Sequence, residues 1–185
     1  DIILSIIKKI GTNGGTGYVL EYRGDAISDL SMEQRMTICN MSIEAGSRAG
    51  LIAPDEKTFD YINNREYTPK NFDNLVEDWK NNLVSDSNSK FDKSFTIDVE
   101  KIEPQVSWGT NPAMVSDVTD KIPTPEEFGQ NNEIQIESAK KALAYMDLEP
   151  ETLITEIPID RVFIGSCTNA RLEDLIDAAT IVKGK

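Results

Sequence analysis

The sequence contains no histidine and only two cysteines among its 185 residues. Without histidine, the chain cannot build a Ser-His-Asp or Cys-His catalytic group, or an imidazole metal site, from its own residues. Two cysteines are too few for a disulfide framework in a protein of this size, so we expect a reducing, cytoplasmic environment.

Long apolar runs and an excess of positive charge are also missing. No stretch approaches the roughly 18 apolar residues of a membrane span, and the start DIILSIIKKI lacks the basic region and cleavage site of a signal peptide. The chain has 32 acidic and 19 basic residues and a formal net charge of −13. This charge opposes non-specific binding to nucleic acid or anionic lipid, so we expect neither a nucleic-acid partner nor a membrane partner.

The ends of the sequence predict a segment of a longer protein. The first residue is not methionine, and residues 2–10 already have the apolar spacing of a helix interior. The last residues, IVKGK, are typical of a helix that has just finished.

Apolar periodicity predicts an α/β fold. Helical spacing is found near residues 2–10, 31–43, 72–83, 136–146 and 172–179. Alternating patterns predict strands at YVLEY, FTIDVEKI and RVFI. The prolines between residues 112 and 125 indicate a connector, and we place a domain boundary before it, between residues 1–102 and residues 103–185. Helices that alternate with strands favour α/β layers.

The glycine-rich stretch GTNGGTG, residues 11–17, resembles a phosphate-binding loop only superficially. It lacks the GK[ST] ending, and it follows a helix and precedes a strand. That order is the reverse of the one that directs helix N–H groups at a phosphate. We interpret it as a helix-to-strand turn, with a backbone loop close to a ligand as the alternative.

The helix that follows Ser31 carries the first candidate site. Gln34 stands three residues after Ser31, which is a capping-box pattern. The predicted apolar stripe consists of Met32, Met36, Cys39 and Ile43. We expect the Cys39 side chain to be a small buried hydrophobic group in this stripe. Asn40 and Glu44 are four residues apart and are expected to share one face beside that stripe. The pattern is consistent with two interpretations of Asn40 and Glu44: a solvated edge of the helix, or a functional pair.

The second candidate is Cys167, in the stretch VFIGSCTN at residues 162–169. The pattern places it where a strand ends and a helix begins, the position that faces ligands in open α/β sheets. Thr168 and Asn169 are expected to cap the new helix, whose N–H groups would favour a thiolate. A structural corner and a reactive or ligating thiol are both consistent with the pattern.

Four blocks of sequence, in order, resemble a known family. GTNGGTGYVLEY, MTICNMSIEAGSRAGLIAPDEKTF, PQVSWGTNP and FIGSCTNARLEDL are similar to the large subunits of 3-isopropylmalate dehydratases, which are members of the aconitase superfamily. The resemblance runs through essentially the whole chain and corresponds to roughly the middle of such a subunit. It implies aconitase-type αβα layered domains, with most of one in residues 1–102 and the start of the next, with the GSCTN corner, in residues 103–185.

The resemblance implies a hydro-lyase that isomerises 2-isopropylmalate to 3-isopropylmalate through a dehydrated intermediate, in leucine biosynthesis. The family uses a [4Fe–4S] cluster held by three cysteines, and the cysteine of GSCTN is the first, so Cys167 inherits the role of iron ligand. The TICNMxxE motif supplies active-site residues in aconitase-type enzymes, so Asn40 and Glu44 inherit catalytic roles. Glu44 would exchange a proton with water bound at the free iron.

The resemblance also predicts what this sequence does not contain. The other two cluster ligands form a C-x-x-C pair that is absent here, as is a DSHT-type segment, so this segment alone is expected to be inactive. The base that removes the carbon proton is expected elsewhere, and a separate small subunit is the expected partner. Aconitase or homoaconitase is the close alternative, although WGTNP and APDEKTF favour the isopropylmalate branch. A non-catalytic RNA-binding relative is the alternative of another class, and the net charge opposes it.

Overall fold

Short strands are interspersed among helices in the computed structural model, which describes residues 1–184. The α-helices are α1 (Ile2–Ile10), α2 (Asp25–Asp29), α3 (Met32–Met41), α4 (Glu56–Ile62), α5 (Phe72–Asn82), α6 (Pro125–Gly129), α7 (Glu133–Met146) and α8 (Leu172–Val182). The strands are β1 (Leu20–Glu21), β2 (Gly50–Leu51), β3 (Gln105–Ser107) and β4 (Val115–Asp117). Single 3-10 turns span Ser42–Ala45, Val99–Lys101 and Ile154–Glu156. The α/β class predicted from the sequence is confirmed.

The strands form two small sheets of different type. β1 and β2 are parallel, with Leu20 opposite Gly50, and β3 and β4 are antiparallel, with Val106 opposite Ser116. No helix within residues 1–184 has both the length and the apolar content needed to cross a membrane.

The first hydrophobic core is built on α1. Ile3, Ile6 and Ile7 are buried at the spacing of one helix face. The helix stops at Gly11, which has a φ of 78° and donates its N–H to the carbonyl of Ile7. The other buried members of this core are Tyr22, Ile27, Ile38 and Ala45. The capping box predicted at the start of α3 is also present, between Ser31 and Gln34.

A second core forms further along the chain, around Trp108. Its indole is 2% exposed and meets the ring of Phe128 edge-on, with the centroids 5.3 Å apart. The other buried members are Met114, Ile122, Ala139, Ala142, Leu143 and Ile154. Three of these residues lie on α7, Ile154 begins a 3-10 turn after α7, and Met114 and Ile122 lie in the segments on either side of β4. The boundary between residues 102 and 103 stays a prediction.

Two of the three predicted strands are wrong. FTIDVEKI contains the 3-10 turn Val99–Lys101, and RVFI, residues 161–164, has no regular structure. YVLEY is paired only at Leu20–Glu21. A strand needs a neighbour for its backbone hydrogen bonds, and the RVFI segment has none among residues 1–184. Its apolar side chains stay in solvent, and Phe163 is 88% exposed.

Three short helices were missed, including one inside the predicted connector. Thr124 and Glu127 form a capping box there, and Pro125 occupies the first turn of α6. A helix of one or two turns shows too few apolar repeats for periodicity to reveal it. The longer predicted helices are confirmed as α1, α3, α5, α7 and α8.

The buried face of α3 differs from the predicted apolar stripe. Arg35 and Ile38 are its buried residues, whereas Ile43, beyond the end of the helix, is 66% exposed and Cys39 is half-buried. The helix is rotated by about one residue from the expected orientation. The reason is that its core-facing side includes a charged residue, which a hydrophobicity pattern assigns to solvent.

Arg35 is buried because its guanidinium is paired. Both terminal nitrogens lie 2.6 Å from the two carboxylate oxygens of Asp55, and Nη2 also donates to the carbonyl of Ser28 at 2.8 Å. Asp55 is in turn the N-cap of α4 and accepts from the N–H of Thr58. One ion pair therefore links α2, α3 and α4.

This ion pair predicts a defined pH dependence of stability. The hydrogen bonds from Arg35 hold the pKa of the Asp55 carboxyl below its ordinary value. Its contribution is therefore complete above that ordinary value, about 3.9, and is lost as the pH falls through the lowered pKa. Asp55→Asn keeps a capping side chain but leaves Arg35 unpaired. We expect it to lower the free energy of unfolding by about 2 kcal/mol near pH 7.

That figure is below the about 3–5 kcal/mol typical of a fully buried pair, because the Asp55 side chain is 39% exposed. Urea denaturation at a series of pH values measures the difference between parent and variant, which should shrink toward pH 2. Asp60→Asn, which alters an exposed carboxylate of the same helix, is the matched control. A difference that stayed constant with pH would contradict the prediction.

Candidate functional site

Asn40 and Glu44 lie on consecutive elements rather than on one helix. α3 ends at Met41, and Glu44 belongs to the 3-10 turn Ser42–Ala45. Four residues of α-helix would leave the two side chains about 40° apart, but the tighter turn increases the separation to about 80°. Both residues are exposed. The predicted common face is therefore wrong in detail, although both side chains remain free to meet a ligand at the end of α3.

The glycine-rich turn at residues 11–17 packs directly against the element that carries Glu44. The N–H of Gly15 donates to the carbonyl of Ala45 at 2.8 Å, and a Cβ at Gly15 would lie 2.8 Å from the Cβ of Ser47. Gly46, which ends the 3-10 turn, has a φ of 80°. The stretch is thus a packed helix-to-strand turn, as interpreted from the sequence, and its glycines permit the close approach that fixes the backbone next to Glu44.

A buried hydrogen bond fixes the start of the same 3-10 turn. The hydroxyl of Tyr22 and the Oγ of Ser42 are 2.7 Å apart, and Ser42 Oγ also lies 3.0 Å from the carbonyl of Ile38. Burial raises the pKa of the Tyr22 phenol, so it remains protonated and able to donate. Glu44 is therefore an exposed side chain on a firmly held backbone.

Cys167 lies in an irregular corner that precedes α8. The Oγ of Ser166 accepts from the N–H groups of Thr168 and Asn169, at 3.2 Å and 2.7 Å, and this folds the backbone around the thiol. Arg171 is the N-cap of α8, and the thiol of Cys167 is exposed. The predicted capping by Thr168 and Asn169 is wrong, because the helix begins later than expected. The helix dipole therefore acts on Cys167 only weakly.

The corner is attached to α3 through Arg171. Its Nη1 lies 2.7 Å from the carbonyl of Thr168 within the corner, 3.1 Å from the Oγ1 of Thr37 and 3.4 Å from the carbonyl of Glu33. A second contact joins Ser31 Oγ to the Glu173 carboxylate at 2.7 Å. The structure thus brings the Cys167 corner onto the helix that carries Asn40.

These linking residues were missed at the level of sequence. Arg171 and Glu173 lie in the ARLEDL stretch, but no local pattern relates them to Ser31 and Thr37, which are more than 130 residues earlier. Charged residues at the start of a helix are usually a solvated end. Only the tertiary contacts with α3 distinguish Arg171 and Glu173 from such a solvated helix end.

The sequence matches the aconitase family (aconitate hydratase) over residues 1–185. The chain belongs to the aconitase family. Members of this family are hydro-lyases that generally use a [4Fe–4S] cluster. The match covers both candidate positions, the α3 region and the Cys167 corner.

The side chains of this aconitase-family chain can supply one thiolate ligand to an iron–sulfur cluster. Iron–sulfur clusters are held by thiolates, and Cys167 offers one in an open corner. Cys39 is half-buried, and burial raises the pKa of its thiol, which disfavours the thiolate that a metal requires. Within residues 1–184, no three Cys, Asp or Glu side chains are grouped so as to hold a metal ion.

The two thiols should differ in reactivity. We expect Cys167 to be alkylated several-fold faster than Cys39 under native conditions, because it is exposed whereas Cys39 is shielded and has a raised pKa. Mass spectrometry of peptides after a short iodoacetamide pulse measures both rates in one sample. Repeating the pulse in urea is the control, since unfolding should abolish the difference. Equal native rates would contradict the placement of the corner.

Proposed function

We propose that this chain is part of the large subunit of a 3-isopropylmalate dehydratase, the enzyme that interconverts 2-isopropylmalate and 3-isopropylmalate. Membership of the aconitase family supports hydro-lyase chemistry. The resemblance of WGTNP and APDEKTF to the isopropylmalate branch supports the substrate. The observation that carries the proposal is the contact through Arg171, which joins the corner that contains Cys167 to the helix that carries Asn40.

Cys167 is proposed as one thiolate ligand of a [4Fe–4S] cluster. Two further ligands are required, and we place them outside residues 1–185. When bound, such a cluster supplies a Lewis-acidic iron that polarises a hydroxyl group and a carboxylate of the substrate. The exposed corner leaves the thiol accessible for ligation, and the hydrogen bonds of Ser166 fix the backbone on both sides of it.

Glu44 and Asn40 are proposed to act on the substrate beside that ligand. The carboxyl group of Glu44 would give a proton to the leaving hydroxyl group in dehydration, and its carboxylate would take a proton back from water in rehydration. The amide of Asn40 would donate to a substrate carboxylate and accept from its hydroxyl. Removal of the proton from carbon requires a second base, which we place elsewhere in the enzyme. A small subunit as partner, a cytoplasmic location and a role in leucine biosynthesis complete the proposal.

Substrate preference tests the assignment directly. We expect the reconstituted enzyme that contains this chain and its small subunit to consume 2-isopropylmalate with a kcat/KM at least about tenfold above that for citrate or homocitrate. A tenfold preference corresponds to about 1.4 kcal/mol, which is within reach of one apolar pocket. Absorbance of the unsaturated intermediate follows the reaction. A preference for citrate would overturn the isopropylmalate assignment and favour aconitase activity.

The two cysteines provide matched variants for the cluster assignment. Cys167→Ser should remove both the visible absorbance of the cluster and the activity, whereas Cys39→Ala should retain both and cost about 1 kcal/mol of packing. The opposite result would exclude Cys167 as a ligand.

Glu44 is tested separately, because its substitution should leave the cluster untouched. We expect Glu44→Gln to keep the cluster spectrum and lower kcat by about 100-fold or more, since a positioned proton-transfer group is lost. Glu66→Gln, which changes an exposed carboxylate outside the candidate site, is the control. If the kcat of Glu44→Gln were within a factor of two of the parent value, Glu44 would be a solvated surface residue without a catalytic role.

A further inference from the structure

We propose that Arg171 is a positioning residue that holds the Cys167 corner in register with α3. Its effect on catalysis rests on the function proposed above, but the attachment itself does not. Arg171 touches neither the thiol nor the side chains of Asn40 and Glu44 in the hydrogen bonds described for residues 1–184. It acts instead on the backbone that carries Cys167 and on the helix that carries Asn40.

The geometry at Arg171 joins two elements that are distant in sequence. Nη1 donates to the carbonyl of Thr168, the residue after Cys167, at 2.7 Å. The same nitrogen lies 3.1 Å from Thr37 Oγ1 and 3.4 Å from the carbonyl of Glu33, both on α3. The corner and the helix therefore share one charged donor. A shift of either element lengthens at least one charge-assisted bond.

The acceptor on α3 is itself oriented for this contact. Thr37 Oγ1 donates its proton to the carbonyl of Glu33 at 3.1 Å, which leaves the oxygen lone pairs directed away from that bond. Nη1 approaches the same hydroxyl as a donor. Thr37 can satisfy both partners at once, and a valine of the same shape could satisfy neither.

A second contact lies one turn away and supports the same arrangement. Ser31 Oγ accepts from the N–H of Gln34 as the cap of α3 and donates to the Glu173 carboxylate at 2.7 Å. The start of α8 is thus joined to the start of α3 at two points. A second point of attachment restricts the rotation of α8 about the first, so the two contacts together limit how the corner before α8 can move relative to α3.

The chemistry of the side chain predicts which substitutions matter. A planar guanidinium can direct hydrogens at several acceptors from a fixed plane, whereas a lysine ammonium is a flexible point charge. Arg171→Lys should therefore keep the charge and loosen the contact, and Arg171→Ala should remove it. Arg161, which is exposed in the segment before the corner, provides a matched control for loss of one positive charge.

A spin label on Cys167 tests the attachment in the full chain. The background variant of the 185-residue chain is Cys39→Ala, which leaves Cys167 as the one thiol for the nitroxide, and this chain is studied without iron or sulfide. We expect the line shape of the electron paramagnetic resonance spectrum to show a more mobile label in Arg171→Ala than in the parent. Arg171→Lys and Thr37→Val should be intermediate, and Arg161→Ala should match the parent. Circular dichroism confirms that the compared variants are folded. Identical label mobility in the parent, Arg171→Ala and Arg171→Lys would overturn the proposal.

Turnover tests the catalytic consequence in the reconstituted enzyme. We expect Arg171→Ala to lower kcat at least about tenfold with little change in KM, because misplacement of the reacting groups affects the transition state more than ground-state binding. A mobile label together with an unchanged kcat would overturn the positioning role. Absence of isopropylmalate turnover in the parent enzyme would instead refute the proposed function, while the label would still decide whether Arg171 holds the corner.

Discussion

The buried guanidinium of Arg35 determines how α3 sits in the molecule. A charged group that is 3% exposed must be paired, and the two carboxylate oxygens of Asp55 supply that pairing. The arrangement restricts the rotation of α3, because Nη2 reaches the carbonyl of Ser28 as well as the carboxylate of Asp55. Any rotation of α3 about its axis would withdraw the charge from its partners, at a cost comparable to the about 2 kcal/mol expected for Asp55→Asn. The ion pair therefore determines the rotational position of α3 about its own axis.

The rotational position of α3 determines which of its side chains face the Cys167 corner. With 100° between successive residues, Glu33, Thr37 and Asn40 lie roughly 140° to 200° from Arg35 around the axis of α3. This polar row lies opposite the buried face of α3. The sequence had instead predicted a position beside that face. The row is then available on the outside, where Arg171 contacts its first two members. The position of the candidate site thus follows from a pairing on the far side of the same helix.

The longest helices were predictable from the sequence, whereas the arrangement of the candidate residues relative to one another was not. The isoleucines of α1 and the capping box at Ser31 are local signals, and both appear in the structure as expected. Arg35 misled the prediction of the buried face because hydrophobicity cannot recognise a charge whose partner lies 20 residues away. RVFI failed as a strand for a related reason, since pairing is a property of two segments.

The chemistry at the candidate residues sets a requirement on the rest of the enzyme. Cys167, Asn40 and Glu44 supply a thiol, a neutral amide and a carboxylate, and the whole chain carries a net charge of −13. The nearby cation, Arg171, is already engaged by two carbonyls and a hydroxyl. A substrate with two carboxylates needs positive charge to replace the water that it loses on binding. Under the proposed function, that charge must come from iron and from basic side chains contributed by other parts of the enzyme. Glu44 adds a negative charge and the thiol and the amide add no positive charge, so under the proposed function we expect substrate binding to require the assembled enzyme.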